Sequence, residues 1–315
     1  MQRRGLRIPT LALGLIFLCA HAAEAAPKVV ASIAPLAGIA SAVLGEGTKP
    51  TLLLPANQSP HHGALRPSQA RALAEADVIL WIGPDLETGL DTALDAKPEA
   101  WVNSHVLTAM ALPKVVRKPF RHLEALGPQG EAQAHEGDDA HHHHGDIDPH
   151  LWLDPANAAA IASALAERLA LLEPERASVY RANAARFEDA MVALKADLVE
   201  RLEPVRDRKF VVFHDAYQYF EVPFGLSAVA ALTLDPSQPM GGRHLVSVRD
   251  QAQRVGAVCV FADAQAPRDA VAGIARDIDL KAGTLDPLGA DLDPAPDSYA
   301  VLLKRLAESY RACLD

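Results

Sequence analysis

The chain has 315 residues, half of them apolar, and a formal net charge of −10 with histidine neutral. This length and apolar fraction are enough for a substantial buried core, and they suggest two domains of ordinary size. The acidic balance disfavours nucleic acid as a partner, because proteins that bind phosphate backbones concentrate lysine and arginine on one face.

The first 25 residues have the pattern of a secretory signal peptide. Three arginines precede the apolar run from Ile8 to Ala20, and Ala23-Glu24-Ala25 forms a small-x-small cleavage site. A membrane anchor is the weaker alternative, because the apolar run is too short to span a bilayer comfortably. Cleavage near Ala25 would remove three arginines and one glutamate, which takes the net charge from −10 to −12. We therefore expect an exported, soluble protein.

Short β-branched and apolar runs recur along the chain, and each is followed by a helical pattern. Near-continuous apolar strands of this kind are typical of parallel sheets that helices cover on both faces. The eight runs are KVVASIAP (28–35), TLLLP (51–55), ADVILWIG (76–83), SHVLTAMAL (104–112), KFVVFHDAY (209–217), LSAVAAL (226–232), GAVCVFAD (256–263) and LKAGTLDPLG (280–289). We predict an α/β fold with two lobes, each a mainly parallel sheet flanked by helices.

A long helix is predicted between the lobes. Pro174 lies near its start and Pro204 stops it. A helix of roughly 30 residues is about 45 Å long and could act as a rigid strut across both lobes; a surface helix of the first lobe is the alternative. The apolar residues that recur at a spacing near 3.6 are Val179, Phe187, Met191, Leu194, Leu198 and Leu202.

The segment 121–148 fits neither lobe. It is rich in glycine, alanine, acidic residues and histidine without apolar periodicity, which predicts a disordered surface loop. The predicted organisation is a signal peptide at 1–25, an N-terminal lobe at 26–172 that includes this loop, a linker helix at 173–204 and a C-terminal lobe at 205–315.

Two cysteines, Cys259 and Cys313, remain after signal cleavage. An even pair in an oxidising compartment predicts one disulfide that ties the C-terminal tail to the core. Two unpaired buried thiols are the alternative.

Three histidines stand where a predicted strand ends or a loop begins. His61 follows the strand at 51–55, His150 comes directly after the predicted loop, and His214 lies near the end of the strand at 209–217. Ligands of open α/β sheets bind beyond the carboxyl ends of the strands, so these imidazoles can converge between the lobes. A hydrogen-bonded structural histidine is the ordinary alternative at each position.

Asp286, at another strand end, is a candidate fourth ligand. Imidazole nitrogens with one carboxylate or water suit tetrahedral Zn²⁺, whereas Mn²⁺ or Ca²⁺ sites use more oxygen ligands. Cu²⁺ and Ni²⁺ also compete well for imidazole. Three carboxylates could orient the imidazoles from behind: Asp148, Asp154 and Asp215.

The remaining histidines divide into two groups. His62 adjoins His61 and could replace it as a ligand, although side chains of adjacent residues on a strand point to opposite faces. His105 and His244 have no acidic or histidine companions and are predicted to be structural. A flexible collector of weakly bound metal is predicted in the loop, with a plain solvated loop as the alternative. Its residues are His135, His141, His142, His143 and His144.

Several ordered motifs resemble those of a known family, the zinc-binding receptors of bacterial ABC importers, which are the ZnuA-type members of the metal solute-binding proteins. The resemblance covers nearly all of the chain after the signal peptide. It rests on ASIAPLAGIASAVLGEG, SPHHGALRPSQ, WIGPDLE, the His-rich acidic insertion, DPHLWLDP, VVFHDAYQYF, LDPLG and DSYAVLLKRL.

This resemblance implies that His61, His150 and His214 hold Zn²⁺ in a cleft between two lobes joined by a rigid helix. Manganese-type relatives have a glutamate at the third position, so His214 favours zinc. Some zinc members place a glutamate before the first histidine, whereas this chain has Pro60, which leaves Asp286 or water as the fourth ligand. The resemblance also implies a disulfide between Cys259 and Cys313.

The function implied is high-affinity capture of Zn²⁺ in the periplasm and delivery to an inner-membrane ABC permease, by a protein that acts as a monomer. An exported zinc hydrolase is the alternative, because three histidines with an open fourth position also describe catalytic sites. No His-Glu-x-x-His element is present to supply a general base. A receptor for another divalent metal such as Mn²⁺, or an anchored adhesin, is a further alternative.

Overall fold

A computed structural model describes residues 26–55, 58–121, 123, 146–233, 242–264, 268–277 and 279–315. The predicted signal peptide and most of the predicted loop lie outside these residues. Two four-stranded parallel sheets form the framework of the protein, one in each lobe. All eight strands predicted from the apolar runs are present. The inner strands β1 (Val29–Ala31), β3 (Val78–Trp81) and β7 (Cys259–Asp263) are buried along their whole length, as expected for strands that helices cover on both faces.

The N-terminal lobe contains a sheet with the strand order β2-β1-β3-β4. Helices lie between successive strands, as parallel pairing requires a crossover. Its elements are β1 (Val29–Ala31), α1 (Ala34–Leu44), β2 (Thr51–Leu52), α2 (Pro67–Ala74), β3 (Val78–Trp81), α3 (Thr88–Asp95), α4 (Glu99–His105) and β4 (Val106–Thr108).

Two helices connect the lobes, α5 (Pro155–Leu172) and α6 (Ala177–Leu202). Asp154 begins α5 by accepting a hydrogen bond from the backbone N–H of Ala156 at 2.9 Å. The 26 residues of α6 give a length of about 39 Å. This helix packs against α1 and α5 of the N-terminal lobe and against the C-terminal helix, so it contacts both lobes, as predicted for a strut.

One of the six apolar residues that recur along the linker helix is not buried. Val179 is 43% exposed, whereas its neighbour Tyr180 is fully buried. Tyr180 donates its hydroxyl to Glu173 at the end of α5, so position 180 faces the core in place of position 179. The other five recurring apolar residues are buried: Phe187, Met191, Leu194, Leu198 and Leu202.

The C-terminal lobe repeats the topology of the first, with the strand order β6-β5-β7-β8. The predicted disulfide is present: Cys259 at the start of β7 is bonded to Cys313 in the last helix, with the Cα atoms 6.0 Å apart. The elements are β5 (Phe210–His214), α7 (Gln218–Glu221), β6 (Ala228–Thr233), α8 (Gly242–Val255), β7 (Cys259–Asp263), α9 (Arg268–Asp277), β8 (Lys281–Leu285) and α10 (Ser298–Leu314).

The two lobes share one continuous hydrophobic core, and α1 packs directly on α10. A Cβ atom at Gly38 would lie 2.5 Å from Ser298 Oγ, so the close approach of these helices requires glycine. Trp152 links the lobes as well: its Nε1 donates to the carbonyl of Pro287 at 2.8 Å, and Tyr299 Oη donates to the Trp152 carbonyl at 2.6 Å. Among the described residues, no helix is both long and apolar enough to cross a membrane.

Candidate metal centre

The three histidines predicted as ligands lie together between the lobes. His61 comes from the segment after β2, His150 precedes the short turn that leads into α5, and His214 is the last residue of β5. Their ring centroids are 5.4 Å (61 to 150), 5.2 Å (61 to 214) and 4.9 Å (150 to 214) apart. One nitrogen from each ring lies within 4.8 Å of the other two. Three residues separated by at least 64 positions therefore converge on one point.

His150 is fixed from behind by Asp148. The carboxylate Oδ1 of Asp148 lies 2.7 Å from His150 Nδ1 and also accepts the His150 backbone N–H at 3.0 Å. Both side chains are almost fully buried, and Gln218 Nε2 donates to the other carboxylate oxygen at 2.7 Å. A proton on Nδ1 that points at the carboxylate leaves the Nε2 lone pair free to bind a metal.

His214 has a carboxylate partner in the neighbouring strand. Its Nδ1 lies 3.6 Å from Asp263 Oδ2, and Asp263 is the last residue of β7. Tyr217 Oη donates to the same carboxylate oxygen at 3.4 Å. Burial raises the pKa of Tyr217 well above its ordinary value, and the charge of Asp263 adds to this shift, so the hydroxyl keeps its proton.

His61 differs from the other two because it lies on a loop. It is only partly buried, and the loop is held through the backbone: Thr88 Oγ1 donates to the His61 carbonyl at 2.9 Å, and the His61 N–H donates to Ser59 Oγ at 3.3 Å. The adjacent His62 is exposed, with its ring centroid 6.3 Å from that of His61. Only His61 of this pair lies in the group of possible metal ligands among the described residues.

The three rings line a cavity of about 20 Å³ together with Pro60, Trp152, Asp263, Pro287 and Leu288. This is enough space for one water-sized particle. Nε2 of His150 and Nε2 of His214 are buried and have no hydrogen-bond partner among the described residues. Buried polar atoms are normally paired, so two unpaired nitrogens at one cavity indicate that a ligand belongs there.

The spacing of the nitrogens suits a small cation. Three atoms no more than 4.8 Å apart all lie within about 2.8 Å of a common centre. Zinc binds imidazole nitrogen at about 2.0 to 2.1 Å, so each ring would need to move inward by less than about 1 Å. A set of three imidazoles is typical of zinc, whereas Mg²⁺, Ca²⁺ and Mn²⁺ prefer oxygen ligands.

Asp286 is not brought into this group. Its Oδ1 accepts the backbone N–H of Leu288 and of Gly289 at 3.0 and 2.9 Å, and its Oδ2 accepts that of Ala290 at 2.6 Å. The carboxylate therefore closes the turn that follows β8. These three backbone donors occupy the oxygens that were predicted to bind the metal. The carboxylate that lines the cavity is instead that of Asp263.

Among the described residues, Asp148 is the one of the three carboxylates predicted to orient the imidazoles that hydrogen-bonds a ring, that of His150. Asp154 caps helix α5. Asp215 accepts hydrogen bonds from Arg121, with Nε to Oδ1 at 2.8 Å. Burial raises the pKa of Asp215, and the charge of Arg121 opposes this shift. Asp263 was missed, although it could have been found by the rule that located His214, because it also ends a buried strand.

Another buried carboxyl, Glu87, lies just beyond the carboxyl end of β3. It accepts hydrogen bonds from Ser32 Oγ and from the backbone N–H of Ile82 and Gly83, the latter two at 3.1 and 2.9 Å. Burial raises its pKa to about 7, although all three of these hydrogen bonds work to lower it. The next residue, Thr88, is the one that holds the His61 carbonyl.

The remaining histidine predictions have different outcomes. His105 stacks on Trp101 with ring centroids 4.5 Å apart, and His244 Nε2 lies 3.1 Å from the Ala231 carbonyl; both lie outside the metal group. The residues predicted as a weak metal collector, His135 and His141 to His144, lie outside the described residues.

Comparison with known proteins gives one consistent result. The family model described as ZnuA, zinc-uptake complex component A periplasmic, matches residues 29–313. The chain is 38% identical to the high-affinity zinc uptake system protein ZnuA of Yersinia pestis, over 92% of each chain. It is 35% identical to the protein of the same name from Paracoccus denitrificans, over 96% of each chain.

Solved structures agree with this result. A crystal structure of ZnuA aligns with a TM-score of 0.73 at 25% identity and covers 92% of this chain and 100% of that one. A ZnuA deletion mutant with zinc bound aligns with a TM-score of 0.72 at 25% identity and covers 92% of this chain and 98% of that one. This chain therefore belongs to the ZnuA family, zinc-uptake complex component A periplasmic.

Proposed function

We propose that this protein captures Zn²⁺ with high affinity in the periplasm and delivers it to an inner-membrane ABC permease. The observation that carries the proposal is the pair of buried, unpaired Nε2 atoms of His150 and His214, with His61 beside them. Its relatives are named for high-affinity zinc uptake. A periplasmic location follows from the family's description and from the signal peptide predicted at 1–25.

The ligand set that we propose for the tight site is His61, His150 and His214, with water as the fourth ligand. Asp286 is the less favoured choice for that position, because its oxygens already accept three backbone hydrogen bonds. Asp148 hydrogen-bonds the ring of His150, and Asp263 lies 3.6 Å from Nδ1 of His214. Such partners normally increase the basicity and fix the orientation of metal-binding histidines.

We further propose that the protein is a carrier and not a hydrolase. Zinc hydrolases use a carboxylate as general base beside the metal-bound water. Asp263, which lines the cavity, instead faces the Nδ1 of His214 and accepts from Tyr217. The contacts of Trp152 with Pro287 and Tyr299 restrain separation of the lobes, so release is expected to depend on the permease. The monomeric state stays a prediction that analytical ultracentrifugation would check.

Calorimetric titration of the metal-stripped protein with Zn²⁺ and then with Mn²⁺ tests the proposal. We expect one tight zinc per chain and much weaker binding of manganese, because the ligands that the protein supplies are all nitrogen. Equal affinity for the two metals, or no tight zinc, would contradict the proposed function. Turnover of model peptides or esters by the zinc-loaded protein would instead favour the hydrolase.

The same titration on a variant that lacks residues 137–145 tests the proposed collector. This deletion removes His141 to His144 but none of the three proposed ligands. We expect fewer weakly bound metals per chain, and a tight site whose affinity changes by less than about threefold, a difference well below 1.4 kcal/mol. Loss of the tight site on deletion would show that the assignment of the two groups of histidines is reversed.

A further inference from the structure

The two ends of the His-rich insertion form a short antiparallel pair, which we call the stem and define as residues 118–121 and 146–148. Pro119 and Ile147 form a β-bridge. The Phe120 N–H donates to the Asp146 carbonyl at 3.2 Å, and the Asp148 N–H donates to the Lys118 carbonyl at 2.9 Å. The segment predicted as a disordered loop over 121–148 is therefore packed at both described ends, and Asp148 there is fully buried.

The stem belongs to the N-terminal lobe but docks on the C-terminal lobe. The Lys118 N–H donates to Tyr219 Oη at 2.6 Å. Gln218 Nε2 donates to the carbonyl of Pro119 at 2.9 Å and to Asp148 Oδ2 at 2.7 Å. Both partners lie in helix α7, which begins four residues after His214.

Arg121 adds an ionic contact at the same place. Its Nε donates to Asp215 Oδ1 at 2.8 Å, and its Nη1 donates to Glu221. The two carboxylate side chains are 2% and 0% exposed. Burial works to lower the pKa of Arg121, but the charges of Glu221 and Asp215 outweigh it and raise the pKa above its ordinary value. Only the planar fork of arginine can bond two carboxylates in this way.

Glu221 connects this contact to the rest of the C-terminal lobe. It accepts from Tyr310 Oη at 3.0 Å and from the Ala228 N–H at 3.2 Å. Tyr310 lies in α10, which the disulfide joins to β7. The surface on which the stem docks is therefore held rigidly.

The stem thus has a metal ligand on each side. Asp148, within the stem, holds the ring of His150 from the N-terminal lobe. Asp215, bonded to Arg121, directly follows His214 of the C-terminal lobe. We propose that Arg121 is a positioning residue for zinc binding: by tying the stem to Asp215 and Glu221, it sets the distance between His150 and His214 across the two lobes. This inference rests on the proposed function of the three histidines.

The test compares Arg121→Met and Arg121→Lys with the wild-type protein. We measure zinc affinity by competition with a chelator, and coordination geometry by the d–d absorption of the Co²⁺-loaded protein. We expect Arg121→Met to lose about 10-fold or more in zinc affinity, which is typical for the loss of an outer-shell partner, and to change the Co²⁺ spectrum. Arg121→Lys should restore part of the affinity, because it keeps the charge but not the fork.

Arg181→Met is the matched control. Arg181 forms an exposed pair with Glu167, with Nη2 to Oε2 at 2.7 Å, away from the stem. This variant should leave both the zinc affinity and the Co²⁺ spectrum unchanged. A purely structural role for Arg121 would lower the melting temperature but leave both readouts at wild-type values in the folded protein, and that result would overturn the inference.

A second variant decides the matter if Arg121→Met does not fold. Gln218→Leu removes the two uncharged-donor hydrogen bonds from α7 to the stem. It should produce the same loss of zinc affinity and the same change in the Co²⁺ spectrum. Wild-type values for both would overturn the inference. If the wild-type protein itself does not bind zinc tightly, the proposed function fails and this inference fails with it. If the wild type binds tightly and the variants bind equally well, this inference alone fails.

Discussion

The two lobes have the same strand order, yet the equivalent crevices at their strand ends hold different groups. In the N-terminal lobe, Ser32 follows β1 and Glu87 lies just beyond β3, and the two side chains are hydrogen-bonded to each other. In the C-terminal lobe, the equivalent strands β5 and β7 end in His214 and Asp263. Of the four side chains at these strand ends, His214 is the one with a buried atom that has no hydrogen-bond partner among the described residues, namely Nε2.

This difference shows what converts a strand-end crevice into a binding site. Glu87 accepts from one side chain and two backbone groups, so its oxygens are engaged by partners within the N-terminal lobe. An imidazole has two nitrogens that point in different directions in the plane of the ring, so one can face a carboxylate while the other faces the cavity. The shared fold provides the crevice, and the chemistry of two side chains decides whether it can bind a metal.

The largest effect is expected from His214→Ala, which removes the ligand from the open crevice. Zinc affinity should fall on the order of 10³-fold, equivalent to about 4 kcal/mol at 1.4 kcal/mol per tenfold. Titration with a competing chelator measures this loss. His105→Ala is the control, because His105 lies outside the metal group of the described residues. Equal affinity in the His214→Ala and His105→Ala variants would refute the comparison of the crevices.

The next effect is expected in the crevice of the N-terminal lobe, from Glu87→Gln. The pKa of Glu87 is raised from 4.5 to about 7 in the folded protein. Between these values the folded state keeps a proton that the unfolded state has lost. Glu87 therefore contributes roughly 3 kcal/mol to the free energy of unfolding. This contribution is fully present below pH 4.5 and is lost as the pH rises to about 7.

Urea denaturation of the metal-free protein at pH 5 and pH 8 measures the effect of Glu87. The free energy of unfolding should fall less between these pH values in Glu87→Gln than in the wild type. Zinc affinity should change by less than about threefold, well under 1.4 kcal/mol, because Glu87 is not a ligand. The same pH dependence in both proteins would contradict the raised pKa, and a large loss of zinc affinity would contradict the division of roles between the crevices.

The smallest effect is expected from Asp263→Asn, which keeps the shape of the side chain but removes its charge. Loss of an outer-shell carboxylate typically costs about 10- to 100-fold in metal affinity. Asp286→Asn is a matched control at the end of the neighbouring strand. It should lower the melting temperature, because its carboxylate accepts three backbone hydrogen bonds, and it should leave zinc affinity unchanged. The reverse pattern would make Asp286 the residue that acts at the metal.

The residues that could be predicted from the sequence are those whose role depends on local pattern. The strand that ends in His214 is a continuous apolar run, so its burial and its terminal position were visible in the sequence. Asp286 follows the same pattern, yet its oxygens bond the N–H groups of the next turn. That competition depends on backbone geometry and not on residue type. Arg121 lies in a segment whose composition suggested disorder, and its partners are 94 and 100 residues away.

The sequence by itself determined the eight strands, the disulfide pair and the three histidines. Apolar runs and the residues at their ends are local patterns along the chain, and the two cysteines that remain after signal cleavage can form only one pair. Only the tertiary structure decided which carboxylate faces which imidazole, and that Arg121 joins the lobes. These contacts form between segments that are distant in sequence. Their distances are fixed by how the two lobes and helix α6 pack together, and no local pattern specifies that packing.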